Sequence, residues 1–444
     1  MSWPKVSELS ADLTEHQRQE LGCAFEARIG AFCGCPGAGK TFSTAAAIRQ
    51  LIKEQGPGCV KICAPTGKAA IRATRSLRAN GVNLRALTIH SMLGCSFGTS
   101  GMRFLHNESN PLPGKYFFVD ESSWIGNYLG ASLLSAIPRD GHVLFIGDHH
   151  QLPPVERGAM LRDLMSAGVP YGDLTEIHRN GGRIVQACKT IREGGFYEPS
   201  QSPAYGTLEN LCHIESMTNA DTLKKIDNLT SLIMRDLAGQ INIKWDLQLL
   251  TYLNEGTPCS RKELNAFMQQ RVNPDGQRIG DKYRMRDKII CLQNTSYEWE
   301  SDGEKIRTFV ANGQLAEIVN ADDKRLCLKL ESDGDSEECV YVTRKNLHEE
   351  WDLGYAISVH KSQGSSWPIV FLVIDDSARA RFLGSRQIVY TGISRAEKYC
   401  VTIGKQSTVN RDLQRDSIHE RRTKLADRLT ERIYDGSGTP IWRI

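Results

Sequence analysis

The eight residues Gly34-Cys35-Pro36-Gly37-Ala38-Gly39-Lys40-Thr41 constrain this chain more than any other stretch. They fill every fixed position of the phosphate-loop pattern G-x-x-x-x-G-K-[ST]. Glycines such as Gly37 and Gly39 let the backbone wrap closely around phosphate oxygens and turn its N–H groups inward. Lys40 supplies a point charge for β- and γ-phosphates, and the Thr41 hydroxyl is placed to hold Mg²⁺. Residues 29–33 read as a short buried strand and residues 41–53 as a helix rich in Ala and Ile. The N-terminus of that helix then faces the phosphates. Strand, loop and helix in this order predict an α/β fold built on a parallel sheet, with a nucleoside triphosphate as ligand.

At 444 residues the chain has room for two or more domains with ample core. Hydrophobic residues at 40% and charged residues at 24% are ordinary for a soluble globular protein. No apolar run approaches the roughly 18 residues needed to span a bilayer, and residues 1–14 lack a signal pattern. The expectation is an intracellular, cytoplasmic protein with no membrane partner. Thirteen cysteines, an odd number with no C-x-x-C pair, point to reduced thiols in apolar strands (Cys33, Cys63, Cys291, Cys400). A net charge of +3 neither demands nor excludes nucleic acid, because a basic groove can be local.

The first half alternates strands and helices. Residues 29–33, 60–64, 116–119 and 142–146 are short apolar strands that run into polar loops, which suits a parallel sheet with ligands at its carboxyl ends. A second α/β region has strands at 247–252, 369–374 and 399–403. Between its parts, residues 276–350 hold short strands separated by Gly, Asp and Asn turns, and read as a small inserted β-barrel.

Residues 117–123 form an apolar strand ending in Asp120-Glu121. Asp120 is expected to hold Mg²⁺ through water, and Glu121 to orient and deprotonate the attacking water. A third strand-to-loop junction carries Gln151, an amide able to touch both γ-phosphate and water. His149 and His150 have no partner at metal-ligand spacing. Arg179, at the end of the first half, and Arg395, in the second, suit the charge that develops on a γ-phosphate.

In family order these segments resemble the superfamily-1 helicases, in particular the RecD-like and Dda-like branch. Residues 13–17 resemble the adenine-reading Q motif, with Gln17 on the base. Residues 34–41 are similar to motif I, 64–70 to motif Ia, 88–93 to motif Ib, 120–121 to motif II and 147–154 to motif III. Arg179 falls at the arginine of motif IV. Residues 355–364, including Gly364 at the cofactor, resemble motif V, and 390–396 motif VI. The resemblance implies two RecA-like parallel-sheet domains: 1A over residues 1–180, and 2A over 181–275 and 351–444. It also implies a 1B pin at about 95–113 and an SH3-like 2B barrel at 276–350. RecD-like proteins often carry a long N-terminal extension, whereas this chain starts close to the Q motif. Members of the branch are ATP-dependent enzymes that move 5′ to 3′ on single-stranded DNA.

Single-stranded nucleic acid is also supported by the residues themselves. The loops with Pro65, Thr66 and Lys68, with Thr88 and His90, and with Ser358, His360 and Lys361 carry hydroxyls and single positive charges. Those suit phosphates without base reading. Phe97, Phe104, Tyr355 and Trp367 are aromatic candidates for stacking on bases. Phe104 and Leu105 are expected to form an apolar pin tip that separates strands. The implied cofactors are ATP and Mg²⁺, and the implied partners are single-stranded DNA and duplex junctions. A single-strand-binding or recombination protein is a further candidate partner, the protein itself being a monomer in a bacterial or phage-infected cell. Two alternatives share these motifs: an RNA or RNA–DNA helicase, and an ATP-controlled loader or clamp that does not unwind.

Overall fold

A computed structural model describes residues 2–9, 12–98, 101–176, 182–301, 304–322, 324–331 and 338–432. The chain divides into two compact units, Met1–Asn180 with Asp416–Ile444, and Gly181–Arg415.

The first unit is built on six parallel strands in the order Leu87–Thr88, Val60–Ala64, Tyr116–Val119, His142–Gly147, Ile29–Gly34, Tyr171–Leu174. Its central strands are buried along their whole length, as a sheet covered on both faces requires. Tyr116 and Phe118 join one core, with Phe32, Leu51, Ile62 and Leu144. Phe117 and Val119 join the other, with Cys33, Leu129 and Phe145. This is the two-residue period of a strand, which sends successive side chains to opposite faces. One strand, His142–Gly147, separates the phosphate-loop strand from the acidic one. The two strand ends therefore stand two inter-strand spacings apart, about 10 Å.

An antiparallel hairpin, Cys95–Gly98 with Gly101–Phe104, projects between the sequences of motifs Ib and II. Where the sequence implies a second sheet domain running to residue 444, the segment from Asp416 groups with the first unit. The helix Leu425–Arg432 packs against the helix Met160–Ser166. The Arg421 guanidinium donates to the carbonyls of Glu156 at 2.7 Å and Gly158 at 2.9 Å. The Thr423 hydroxyl donates to Asp163, and Arg162 donates to the Ile418 carbonyl.

The second unit has a parallel sheet in the order Ala356–Ser358, Leu247–Thr251, Trp367–Val373, Ala396–Gly404, Leu211–Glu215. A five-stranded antiparallel sheet follows the order Cys339–Thr343, Arg325–Leu330, Leu315–Ala321, Lys288–Cys291, Trp351–Leu353. A long hairpin, Thr295–Ser301 with Glu304–Val310, accompanies it. The antiparallel sheet closes on residues beyond 350, since Ile290 pairs with Asp352. One apolar core serves both sheets, with Leu249 and Phe371 from the first and Ile289 and Leu328 from the second. Buried Asp287 ties them further, accepting from the hydroxyl of Tyr355 at 3.0 Å and from the Asn273 amide at 2.8 Å.

Candidate nucleotide site and nucleic-acid face

Two of the three glycines of the phosphate loop take the left-handed conformation, Gly37 at φ +84° and Gly39 at φ +89°. Lys40 opens the helix Lys40–Gln55, and Thr41 is its second residue. The Lys40 ammonium donates to the carbonyls of Gly34 at 2.7 Å and Cys35 at 3.1 Å, so it lies across the mouth of the loop. A Cβ at Gly39 would stand 2.6 Å from the Gln17 amide nitrogen. Gln17 is buried against the loop and has a second task. Its carbonyl oxygen accepts from the Thr14 N–H at 3.1 Å, while its own N–H donates to the Thr14 hydroxyl at 3.2 Å. That reciprocal capping box starts the helix Glu15–Ala24. The oxygen end of the amide is thus engaged in its own helix, and the nitrogen end faces the phosphate loop.

The acidic strand end is held from two sides. Asp120 donates its N–H to the Cys63 carbonyl at 2.8 Å and accepts from the Glu121 N–H at 2.9 Å. Glu121 is left-handed, at φ +51°. Outside glycine that conformation costs roughly 1–2 kcal/mol, and such strain clusters at working sites. Burial, reinforced by the Glu121 charge, pushes the Asp120 carboxyl up to about 6, while Lys40 and Arg72 pull it back. Burial and the same Asp120 charge push the neighbouring Cys63 thiol up to about 12, which makes it a poor nucleophile.

Arg72 lies 3.9 Å from a Glu121 carboxylate oxygen. Sequence reasoning missed it. It sits one turn after Lys68 on the helix Gly67–Ala79, and the i,i+4 spacing was the available signal. Asp148, also missed, organises the third junction: its carboxylate accepts from the Gln151 side-chain amide at 3.2 Å and from the His150 N–H at 3.1 Å. The Gln151 carbonyl oxygen is buried with no hydrogen-bond partner among the described residues. An unsatisfied buried acceptor of this kind costs about 1–3 kcal/mol, and a bound water or phosphate-linked group at this junction relieves it.

The left-handed glycine cradle, the ammonium at its mouth and the orphaned Gln151 oxygen fit a nucleoside triphosphate. Thr41 and Asp120 are the residues fit to hold its magnesium. Among the described residues no group of three or more His, Cys, Asp or Glu forms a metal cluster, and the cysteines form no disulfide.

Arg395 is buried and wired within its own unit. It donates to the carbonyls of Thr391 and Ser365, both at 3.2 Å, and to the Ser394 hydroxyl at 3.1 Å. It thereby joins motif VI to the residue after Gly364, whose φ of +71° makes the turn out of motif V. Arg179 lies outside the described residues.

The three loops expected on nucleic acid share one device. Thr66, Thr88 and Ser358 each precede a helical turn, and each side-chain hydroxyl accepts a backbone N–H three residues on. Pro65, Lys68, His90, His360 and Lys361 stand beside these turns, partly exposed. Burial, with help from Arg261, lowers the Lys361 ammonium below its usual range. Tyr355 and Trp367 are core residues and present no face for stacking. The side chain of Phe97 lies outside the described residues. Phe104 and Leu105 are not at the hairpin tip. Cys95 pairs with Phe104 and Gly98 with Gly101, so Phe104 stands at the base of the hairpin, at the end of the ladder away from the two glycines. There its ring packs between His90, at 5.9 Å, and Tyr128, at 6.4 Å.

The family model described as an AAA domain matches residues 12–235, just over half of the chain. A UvrD-like helicase C-terminal domain matches residues 353–403. The ATP-dependent RecD2 DNA helicase of Deinococcus radiodurans is 32% identical over 411 residues, covering 91% of this chain and 51% of that protein. The chain belongs to the AAA-domain family and resembles the RecD-like superfamily-1 helicases. The RecBCD enzyme subunit RecD of Mycolicibacterium smegmatis is 27% identical over 457 residues, covering 96% of this chain and 77% of the subunit. A solved structure of two Pif1 helicases at forked double-stranded DNA overlaps with a TM-score of 0.49 at 17% identity, covering 88% of this chain and 92% of that one. The chain spans about half the length of the RecD2 relative. No helix among the described residues is long and apolar enough to cross a membrane.

Proposed function

We propose that this chain is an ATP-dependent translocase that moves 5′ to 3′ on single-stranded DNA and unwinds duplex DNA. The observation that carries this reading is the spacing of the first unit's sheet. A single strand ending near Gln151 separates the Lys40 loop from Asp120-Glu121, room for a triphosphate tail with a water beyond it. Lys40 leaves its carbonyl partners to neutralise β- and γ-oxygens. Thr41 and Asp120 hold Mg²⁺, which offsets charge on those same oxygens when bound. Glu121 takes the proton of the attacking water. The Gln151 oxygen orients that water, and Asp148 holds the amide by its nitrogen, leaving the oxygen for the water. Gln17 sets its amide nitrogen toward the nucleotide.

The capped turns at Thr66, Thr88 and Ser358 serve phosphates of the single strand, with Lys68, His90, His360 and Lys361 supplying charge. The hairpin is read as the 1B pin and the antiparallel sheet with its long hairpin as an SH3-like 2B domain. The chain acts as a monomer, and a single-strand-binding or recombination protein is a candidate partner in the cytoplasm of a bacterial or phage-infected cell. The RecD2 and RecD relatives support DNA as the track. The test compares ATP turnover with DNA and RNA oligomers of equal length, alongside strand displacement from a tailed duplex. Turnover stimulated by DNA with ATP-dependent displacement is the expected result. Stimulation by RNA alone makes this an RNA helicase, and stimulation without displacement makes it a loader or clamp.

A further inference from the structure

The segment from Asp416 does more than close the first unit. With the start of the helix Asn127–Ala136 and the loop at 156–158 it forms a cleft of about 470 Å³. Arg157, Arg422 and Lys424 line it with Tyr128, against one carboxylate, Glu156. The three cations are exposed and make no ion pair among the described residues. Glu156 is turned aside: a Cβ at Gly126 would meet its carboxylate oxygen at 2.4 Å, so that oxygen rests over Gly126 at the wall. The walls are pre-set by the Arg421 bonds to the carbonyls of Glu156 and Gly158, and the Asn127 amide donates to the Thr423 hydroxyl at 3.5 Å. Tyr128 lines the cleft and is 61% exposed, so its ring is accessible there.

The place of this cleft gives it meaning. The Phe104 ring at the hairpin base meets both the His90 ring and the Tyr128 ring. His90 belongs to a loop read above as a single-strand contact, and Tyr128 lines the cleft, so the two sites meet at the hairpin base. Exposed Arg and Lys on long stems neutralise phosphates and carry no sequence information. A tyrosine face beside them suits a sugar or a terminal base.

We propose that this cleft, beside the hairpin base, binds the phosphodiester backbone of the duplex at a single-strand/duplex junction. The proposal rests on the helicase reading above. The test uses the full chain with the exposed substitutions Arg157→Gln, Arg422→Gln and Lys424→Gln combined. Fluorescence anisotropy measures affinity for a labelled single-stranded tail and for the same tail joined to a duplex, between about 50 and 200 mM salt. Each lost phosphate contact lowers the slope of log K against log salt by about 0.9. The expected result is a slope reduced by roughly 2–3 for the tailed duplex, with the tail alone and tail-stimulated ATP turnover unchanged. An equal loss on both substrates overturns the duplex assignment and makes the cleft a single-strand site. Unchanged binding to both overturns the site altogether, while the helicase reading stands. If the parental protein binds neither substrate, the helicase reading falls and the cleft with it.

Discussion

At Glu121 the sequence and the backbone disagree, a glutamate held in a conformation suited to glycine. The strain turns the chain directly after Asp120, so that one carboxylate continues the strand and the next leaves it. Glu121→Gln keeps the shape and removes the base. Nucleotide affinity is expected to stay within a few-fold while turnover falls about 10²- to 10⁴-fold; near-parental turnover would take Glu121 out of its role. Lys40→Ala is expected to abolish turnover. Asp120 makes a second prediction through its raised pKa. A carboxyl raised to about 6 in the fold binds a proton more tightly there than when unfolded. Its contribution to stability is therefore fully present below the unfolded value and is lost as pH rises through about 6. Without divalent cation, Asp120→Asn should raise the melting temperature near pH 7.5 by a few degrees, and the gain should shrink as pH falls toward 4. Thermal scans across that range check it; a gain that grows toward acid pH overturns the assignment. The phosphate loop, Asp120, Glu121 and Gln151 are legible in sequence because each sits at a strand end in a fixed pattern. Arg72 and Asp148 are not, since each acts on a residue distant in sequence or through a side-chain bond that no pattern encodes.

At the scale of elements, apolar runs are legible and registers are not. Residues 116–119 and 142–146 read as buried strands because, apart from His142, every position is apolar or aromatic. The edge strand Leu87–Thr88 is too short to show any period. The hairpin shows what a register decides. Phe104 and Leu105 look like a tip by residue type, but a hairpin is fixed by its register, and the ladder pairs Phe104 with Cys95 at the end away from Gly98 and Gly101. Leu105 then lies against Gly94, where a Cβ would meet it at 2.9 Å. The pin hypothesis therefore separates into two variants. Replacing residues 96–103 by a short Gly-Ser linker removes the projecting part and keeps Phe104. Single-strand-stimulated ATP turnover and the melting temperature are expected to hold while duplex unwinding is lost. Phe104→Ala strips the ring that meets His90 and Tyr128, and is expected to destabilise the first unit by about 1–3 kcal/mol. A linker variant that unwinds at the parental rate per ATP would move strand separation elsewhere, to the antiparallel sheet of the second unit.

At the scale of the molecule, two α/β units are legible because apolar strands alternate with helices on either side of a turn-rich stretch. The return of the segment from Asp416 is not, because polar groups fasten it. Arg421 reaches two backbone carbonyls and Thr423 a carboxylate, bonds that leave no hydrophobic period in the sequence. The proposed direction of movement likewise belongs to the whole chain. The candidate phosphate contacts recur on both units, at Thr66 and Thr88 and again at Ser358, and a nucleic-acid strand has a chemical direction that such contacts read only as a set. Movement and melting can be separated by giving the protein a single strand with biotin at one end, capped by streptavidin. Movement 5′ to 3′ pushes streptavidin from a 3′ biotin and leaves a 5′ biotin untouched. The rate should be ATP-dependent, and the preference at least about tenfold, the factor set by 1.4 kcal/mol of discrimination. The same orientation must appear with duplex, since a protein moving this way meets the junction from a 5′ tail and runs off a 3′ tail. Faster release from the 5′ biotin, with unwinding from 3′ tails, would reverse the polarity while leaving the ATP site as described. Release from neither end, together with stimulated ATP turnover, would instead remove translocation and leave a nucleic-acid clamp.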